Sequence, residues 1–342
     1  SLLFWGTGDP TFLHPQLDSR KVYDFLKNTT KELFYVRQES AEPAYRNGWS
    51  IEDYQEDYQP DIATFPIYAN VVRFVGRDST IVTVPSYFQD YLRATEQKSP
   101  KLSISRAQHS NSFVNTNSSV KPNYKTSKPF IWSDSLFVSL LQDTLHKQVN
   151  ILTDYEKPYD IQTVYSVPRN VVLRAMMLPS DNFLAEQLTM VISSMKYNGF
   201  YTDSLRTAMQ KEYYTNFQDP IVLRDGSGLS TYNKITPRNM VELLIAIEEA
   251  IPADEKRYLF FPAGGVDGTL KNAYALDNGV PFVWAKTGTI NSVHCQSGYL
   301  VTREGRRLAF SFLNNNYAVP TAAIRAEMVR IITMRTADVP VF

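Results

Sequence analysis

Apolar residues along this chain recur at two spacings, and the alternation between them lays out its parts. Leu2, Leu3, Phe4 and Trp5 form a short apolar run bounded by Gly6 and Pro10, which predicts a buried strand followed by a turn. Leu17, Val22, Phe25 and Leu26 fall at helical spacing and predict an amphipathic helix over residues 18–27. Residues 35–65 follow neither period and carry Tyr45, Trp49, Tyr54 and Tyr58 among acidic positions, as a packed irregular region does. From Ile67 the period is two. The β-rich runs 68–75 and 80–84, split by Gly76, Arg77, Asp78 and Ser79, predict a hairpin. Residues 98–129 are polar and contain no long apolar run, so they read as a loosely folded inserted lobe or a set of edge strands. Leu136, Phe137, Leu140, Leu141 and Leu145 restore helical spacing over 135–148, and a strand is expected at 149–153.

Beyond residue 160 helices dominate. A helix is predicted over 167–178 with Pro168 in its first turn, and a second over 183–196; Ser180, Asp181 and Asn182 join them. All three are good helix caps, so capping is the plain reading of this turn. It also holds a hydroxyl and an amide at a helix junction. Residues 225–230, DGSGLS, are a glycine turn with no lysine at phosphate-loop spacing, hence structural. Thr236 caps a helix with Pro237 at its first position, and Met240, Leu243, Leu244 and Ile247 line its inner face. AGGVDGTL, residues 263–270, is another glycine-rich turn, without an evident task. An antiparallel sheet follows: a strand through Phe282, Val283 and Trp284 into Lys286, a partner over 296–302, and a third over 307–313 across a turn at Gly305. A helix over 322–335 closes the chain.

Chemistry first enters at Lys286, Thr287 and Gly288. A cation, a hydroxyl and a glycine along one strand edge suit an extended peptide bound by strand addition, Lys286 facing a carboxylate and Gly288 admitting the ligand backbone. Alone, the tripeptide is a weak signal, and an ordinary strand end is the plain reading. Composition narrows the partners. The chain of 342 residues exceeds most single cores, which predicts two or more domains or one domain with insertions. Hydrophobic residues at 43% and charged residues at 20% are ordinary for a globular protein. No run approaches the ~18 apolar residues of a membrane span. Thirty-five basic and thirty-five acidic residues cancel without blocks of like charge, which argues against nucleic acid as a partner. Cys295, the single cysteine, excludes an internal disulfide and a cysteine metal cage, and its apolar strand setting reads as an inert thiol. His14, His109, His146 and His294 are scattered without paired ligand spacing, so neither a metal nor another cofactor is implied; His294 reads as a packed or solvated side chain.

Ser180-Asp181-Asn182 between helices, followed by Lys286-Thr287-Gly288 on a strand, resembles two of the three signatures of the active-site serine enzymes that include penicillin-binding proteins and β-lactamases. PSDNFLAEQL, RDGSGLSTYNKITPRNM, PAGGVDGTL and AKTGTI succeed one another as in low-molecular-mass D-alanyl-D-alanine carboxypeptidases of the S13 peptidase type. GTGDPTF and GWSIEDY resemble that family's passage into its inserted domains. The resemblance spans nearly the whole chain and is weakest over 85–150. It implies an α+β fold: a serine β-lactamase/transpeptidase-like domain, antiparallel sheet with helices, interrupted by mostly β inserted domains. Residues 1–27 and 161–342 would form the first and 28–160 the second. The implied function is a serine-type D-Ala-D-Ala carboxypeptidase, with endopeptidase activity alongside, working through an acyl-enzyme on peptidoglycan stem peptides and binding β-lactams. Its implied place is periplasmic or otherwise extracytoplasmic. By the same resemblance Ser180 relays a proton to the leaving amine, Asn182 holds the substrate amide, and Lys286 adds positive potential and shuttles protons. Thr287 bonds the terminal carboxylate, Gly288 keeps the strand open, and the N–H of Thr289 is an oxyanion donor.

The family's first signature, Ser-x-x-Lys, carries the nucleophile and its activating lysine, and it precedes the segment with which this chain begins. Here that spacing occurs as SSVK (Ser118, Lys121) in the polar stretch and SSMK (Ser193, Lys196) in the helix after Asn182, neither where the signature belongs. Either an upstream segment holds it or the protein has lost it. The first ten residues lack the basic and long apolar regions of a signal peptide, and their abrupt start on a strand leads to the expectation of a preceding segment. Without the nucleophile the chain by itself is expected to be inactive. Two other readings stand beside this one: a non-catalytic relative that binds stem peptides through the Lys286 edge or acts as a scaffold, and a β-lactamase or broader peptide hydrolase, against which the inserted domains argue.

Overall fold

The computed structural model describes residues 1–17, 20–158 and 160–334; Asp18 and Arg335, the outer ends of two predicted helices, lie outside the described residues. The chain divides into two compact units, one of Ser1–Pro168 with Asn182–Leu205, the other of Arg169–Asp181 with Arg206–Phe342. No helix among the described residues is long and apolar enough to cross a membrane.

In the first unit β1 (Leu2–Phe4), α1 (Arg20–Asn28) and β2 (Leu33–Val36) precede an irregular aromatic stretch. Then come β3 (Val71–Arg77), β4 (Thr80–Val84), β5 (Leu92–Lys98), β6 (Ile104–Arg106), β7 (Phe113–Asn117), β8 (Lys125–Pro129), α2 (Asp134–Leu145) and β9 (Val149–Leu152). β1, β2 and β9 form a parallel sheet, β3 lies between β4 and β8, and β7 lies between β5 and β6. The hairpin turn is tighter than composition indicated: only Asp78 and Ser79 turn, both at positive φ (48° and 63°), while Gly76 and Arg77 belong to β3. Two such residues give the turn whose twist matches antiparallel strands. The polar stretch 98–129 carries three strands, hidden from periodicity because each of its short runs buries so little, chiefly Ile104 and Phe113. The core gathers on α2, whose Phe137 stacks on Phe65 with ring centroids 4.6 Å apart and meets Tyr35 of β2 at 4.8 Å. Phe74, Phe88, Phe113 and Phe130 extend the same cluster, each fully buried and each worth about 1.5–3 kcal/mol of transfer free energy.

The second unit contributes α3 (Arg169–Met177), after which the chain makes α4 (Asn182–Tyr197) of the first. α5 (Thr202–Tyr213), a mostly polar helix absent from the sequence reading, buries only Thr202 and Leu205. α6 (Pro237–Ala250) starts at a Thr236 cap that accepts from the Asn239 N–H, as predicted, and α7 (Asp254–Arg257) is a single turn. β10 (Val283–Ile290), β11 (Val293–Val301), β12 (Arg307–Asn315) and α8 (Thr321–Met334) complete it. Alternation along the strands sets the two faces of this sheet. Val283, Ala285 and Leu300 pack with Ile332 and Val329 of α8. Trp284 and Tyr299, opposite each other in register, pack instead with Leu244 of α6, Met177 of α3 and Tyr258.

β10 is an outer strand of its sheet. Residues 262–264 cover its first half: Ala285 N–H donates to the Pro262 carbonyl (3.0 Å), and Gly264 N–H donates to that of Val283 (2.9 Å). Beyond Ala285 no backbone hydrogen bond covers this edge among the described residues. Since backbone groups along a strand point to alternate sides, the N–H groups of Thr287 and Thr289 face out of the sheet.

Candidate active site

Ser180 stands at the corner where α3 ends. Asp181 N–H donates to the Met176 carbonyl (2.8 Å), the backward step that closes a helix when the residue before it is left-handed. Ser180 takes that conformation, with φ of 65°. Glycine is the usual occupant, and a side chain there costs about 1 kcal/mol or more. The Ser180 hydroxyl has a partner: Lys286 Nζ donates to Ser180 Oγ, joining positions 106 residues apart. The capping reading of this turn is corrected for Ser180, which closes α3 rather than opening α4.

Lys286 Nζ also donates to the carbonyl of Thr287 (2.5 Å). Its ammonium is largely withdrawn from water, and this burial pushes its pKa down to about 8. It is charged at neutral pH yet within reach of the neutral amine. That is the condition for passing a proton to and fro through a hydrogen-bonded hydroxyl.

On the other face of β10 the Thr287 hydroxyl donates to Thr269 Oγ1 (2.8 Å). Thr269 belongs to the short turn Gly268–Leu270, in the glycine-rich segment whose task the sequence left open. Its N–H donates to the Leu178 carbonyl (3.1 Å), two residues before Ser180. Gly268 makes that approach feasible: it has φ of 57°, and a Cβ there would lie 2.7 Å from the Leu178 oxygen. Asp267, just before, accepts from Ala263 N–H (2.9 Å) and from Arg174 of α3 (3.2 Å). The segment therefore ties the Ser180 corner to β10. Sequence reasoning did not single out Thr269, because one threonine after a glycine carries no signal of its own.

Gly288 differs. A Cβ on it would meet nothing within 4 Å, and its φ is not positive, so the fold does not need glycine there. Thr289 shares a hydrogen bond between Oγ1 and Nδ1 of His294 (2.7 Å), its partner in register. His294 is packed, 3% exposed, and burial with the Arg325 charge lowers its pKa, keeping the ring neutral. Asn182 is the first residue of α4 in the first unit; its Nδ2 donates to the Tyr58 carbonyl (3.1 Å), which leaves Oδ1 as an acceptor. Cys295 is half-buried, and burial raises its thiol pKa, away from nucleophilic use.

Neither Ser-x-x-Lys spacing makes a serine–lysine pair of the catalytic kind. Ser118 lies outside any helix and donates to the Ser99 carbonyl. Ser193 is fully buried in α4, accepts from Tyr201 N–H (2.7 Å) and donates to the Gly199 carbonyl (3.1 Å). Among the described residues no group of three or more His, Cys, Asp or Glu side chains could hold a metal ion. What this edge offers is an anchored cation, a hydroxyl bonded to it, and outward N–H donors.

The profile of the D-Ala-D-Ala carboxypeptidase 3 (S13) family matches residues 1–335. D-alanyl-D-alanine carboxypeptidase DacB of Haemophilus influenzae is 32% identical over 162 residues, 45% of this chain and 33% of that protein. A D-alanyl-D-alanine carboxypeptidase of Actinomadura sp. is 39% identical over 105 residues, 29% of this chain and 19% of that protein. The matches thus span a third or less of these two relatives' own lengths. The crystal structure of penicillin binding protein 4 (dacB) from Haemophilus influenzae superposes with a TM-score of 0.71 at 21% identity, over 97% of this chain and 81% of that one. The α+β fold is shared with it.

Proposed function

The chain belongs to the D-Ala-D-Ala carboxypeptidase 3 (S13) family, and we propose that it supplies the substrate-binding and proton-transfer side of a serine-type D-Ala-D-Ala carboxypeptidase, with endopeptidase activity alongside. The substrate in this reading is a peptidoglycan stem peptide, reached outside the cytoplasmic membrane. The observation that carries it is the hydrogen bond from Lys286 to Ser180, since it couples an ammonium whose pKa burial depresses to a hydroxyl at the corner where α3 ends.

The extended peptide lies along the open half of β10, where the outward N–H groups of Thr287 and Thr289 stand. A serine from a Ser-x-x-Lys segment that these 342 residues do not provide gives its proton to that segment's lysine and attacks the carbonyl between the two D-alanines, and the Thr289 N–H meets the oxygen as it becomes negative. The departing amine takes its proton from Ser180, whose hydroxyl is replenished by Lys286. Lys286 with the Thr287 hydroxyl attracts the terminal carboxylate. Water then hydrolyses the ester. A β-lactam presents an amide carbonyl, strained by its ring, with a carboxylate nearby, and it takes the same groups. Residues 1–27 and 161–342 make the transpeptidase-like domain in this reading, with 28–160 inserted into it.

The test is calorimetric titration of the 342-residue chain with an N-acyl peptide ending in D-Ala-D-Ala and with its all-L counterpart. Saturable binding that favours the D peptide and weakens by about tenfold or more in Lys286→Ala is expected, the scale of losing a bond to a charged group. Equal binding of the two peptides, or none of either, would defeat the proposal.

A further inference from the structure

The balanced charge of the whole chain hides a local asymmetry. Residues 92–129 hold seven basic side chains against one acid, Glu96. Two of the seven are engaged inside the first unit: Arg106 is buried and donates to the Tyr54 carbonyl (2.7 Å), and Lys128 pairs with Glu56 (3.7 Å). Four of the remaining five are exposed lysines, and the strand directions bring them together. β5 and β7 run parallel and finish side by side, Lys98 opposite Asn117, while β6 starts beside that finish, just after Lys101. The sheet of β3, β4 and β8 packs on this one through Phe74 and Phe113, with ring centroids 5.2 Å apart. β8 starts at Lys125, opposite Val75 near the end of β3, and Lys121 lies in the link that joins β7 to β8. Exposed Arg77 ends β3. Five cations therefore gather at one end of the two sheets, where Asp78 and Glu96 are the acids.

The backbone at this end is fixed, and the charges are left outward. Ser99 N–H donates to the Asn117 carbonyl (2.9 Å), the Thr116 hydroxyl to the carbonyl of Lys101 (2.8 Å), and Tyr124 N–H to that of Lys121 (3.0 Å). A Cβ on Gly76 would lie 2.1 Å from the same Lys121 oxygen. Leu102, Val120 and Tyr124 pack inward on the core. Among the described residues none of the five cations has an acid within salt-bridge distance. Like charges gathered without counter-charges raise the local positive potential, which draws anions.

We propose that this end of the β lobe docks electrostatically on an anionic lipid bilayer, its lysines among the phosphate headgroups. The inference does not rest on the carboxypeptidase reading. The cations come from separate segments at strand ends, so a plane of charge meets them together, whereas a single extended polymer would need a groove to follow. Nucleic-acid bases would need an exposed aromatic to stack on, and this end has none. No large apolar side chain is exposed there either, so the contact stays at headgroup level and is governed by salt. Four of the five cations are lysines, compact charges that need no fixed partner geometry and suit mobile headgroups. Arg106 closes β6 at the opposite strand ends, so docking here leaves residues 54–56 away from the lipid.

The experiment is co-sedimentation of the 342-residue chain with vesicles of phosphatidylcholine alone and of phosphatidylcholine mixed with phosphatidylglycerol. It is run at about 0.1 M and about 1 M salt, between which the screening length falls from about 10 to about 3 Å. Wild type pellets with the anionic vesicles at low salt and with neither kind at high salt. Lys98→Gln, Lys101→Gln and Lys121→Gln combined weaken the partition by about a hundredfold, at roughly fivefold for each cation removed. A control of equal net charge, Lys21→Gln, Lys31→Gln and Lys211→Gln combined, also exposed positions, stays within about twofold of wild type. Thermal melting checks that both variants fold, and the salt response of wild type is read without them. No preference of wild type for the anionic vesicles, or pelleting that persists at high salt, overturns the proposal. So does an equal loss in the two variants, which would make net charge the cause. Vesicle binding by the first variant equal to that of wild type overturns it as well; weaker pelleting of that variant with purified insoluble peptidoglycan would then name wall carboxylates as the partner.

Discussion

At the scale of single residues the argument turns on Lys286. Its lowered pKa comes from burial, and two consequences have opposite appearances. A carboxylate ligand is attracted by the ammonium and not by the amine, so its affinity should fall as pH rises through about 8. The fall should vanish in Lys286→Gln, which isothermal titration from pH 6 to 10 would register. Stability moves the other way. Between about 8 and the ordinary 10.5 the unfolded chain holds a proton at this lysine that the native chain has released, so the native state gains on raising pH. Wild type should therefore gain stability relative to Lys286→Met across that window in denaturant titrations; a constant difference would show that the lysine is not buried as described. Lys286 and Ser180 could be picked out in the sequence because each sits in a short motif with a fixed neighbour. Thr269 could not, since one threonine after a glycine looks like any other until the Leu178 carbonyl is seen above it.

Elements show why glycine means different things along one chain. Gly268 is demanded by the fold: φ is 57° and the Leu178 oxygen would lie 2.7 Å from a Cβ. Gly268→Ala should cost about 1–3 kcal/mol of stability, through the left-handed backbone and the displaced Leu178 carbonyl together. Gly288 is demanded by nothing within the protein. Gly288→Ala should melt within about 0.5 kcal/mol of wild type, as surface substitutions do, yet bind the D-Ala-D-Ala peptide more weakly because a methyl then stands where the ligand backbone approaches. If instead Gly288→Ala binds as wild type does, the peptide does not run along this edge. The hairpin of β3 and β4, the capped α6 and the sheet of β10 to β12 were legible because each buries a regular face or carries its own turn residues. β6, β7 and α5 were not, because strands of three and five residues, or a helix with one buried leucine, leave no periodic trace; tertiary packing alone places them.

For the molecule as a whole the question is whether any serine in these residues can do the attacking. A Ser-x-x-Lys pair works when a helix puts both side chains on one face, three residues apart. The SSVK run has no helix, and the SSMK run has one but uses Ser193 to satisfy the Tyr201 N–H and the Gly199 carbonyl that follow α4. Ser193→Ala should accordingly act on stability, costing about 0.5–1.5 kcal/mol by removing the hydroxyl that serves both the Tyr201 N–H and the Gly199 carbonyl, and should leave peptide binding unaltered. The family signature could be recognised at this scale in two of its parts because Ser180 and Lys286 needed only their local motifs, whereas Asn182 and Lys286 belong to units whose residues interleave along the chain. Activation of a hydroxyl requires a base at hydrogen-bond distance, and among the described residues Ser180 is the hydroxyl that Lys286 contacts; in the proposed reading it is a relay, left-handed at the end of α3. The 342-residue chain incubated with a fluorescent penicillin should therefore bind it reversibly and carry no label after denaturing electrophoresis. A covalent adduct, mapped by mass spectrometry to Ser180, would make that residue the nucleophile and Lys286 its base, and would replace the relay with direct attack from the corner of α3.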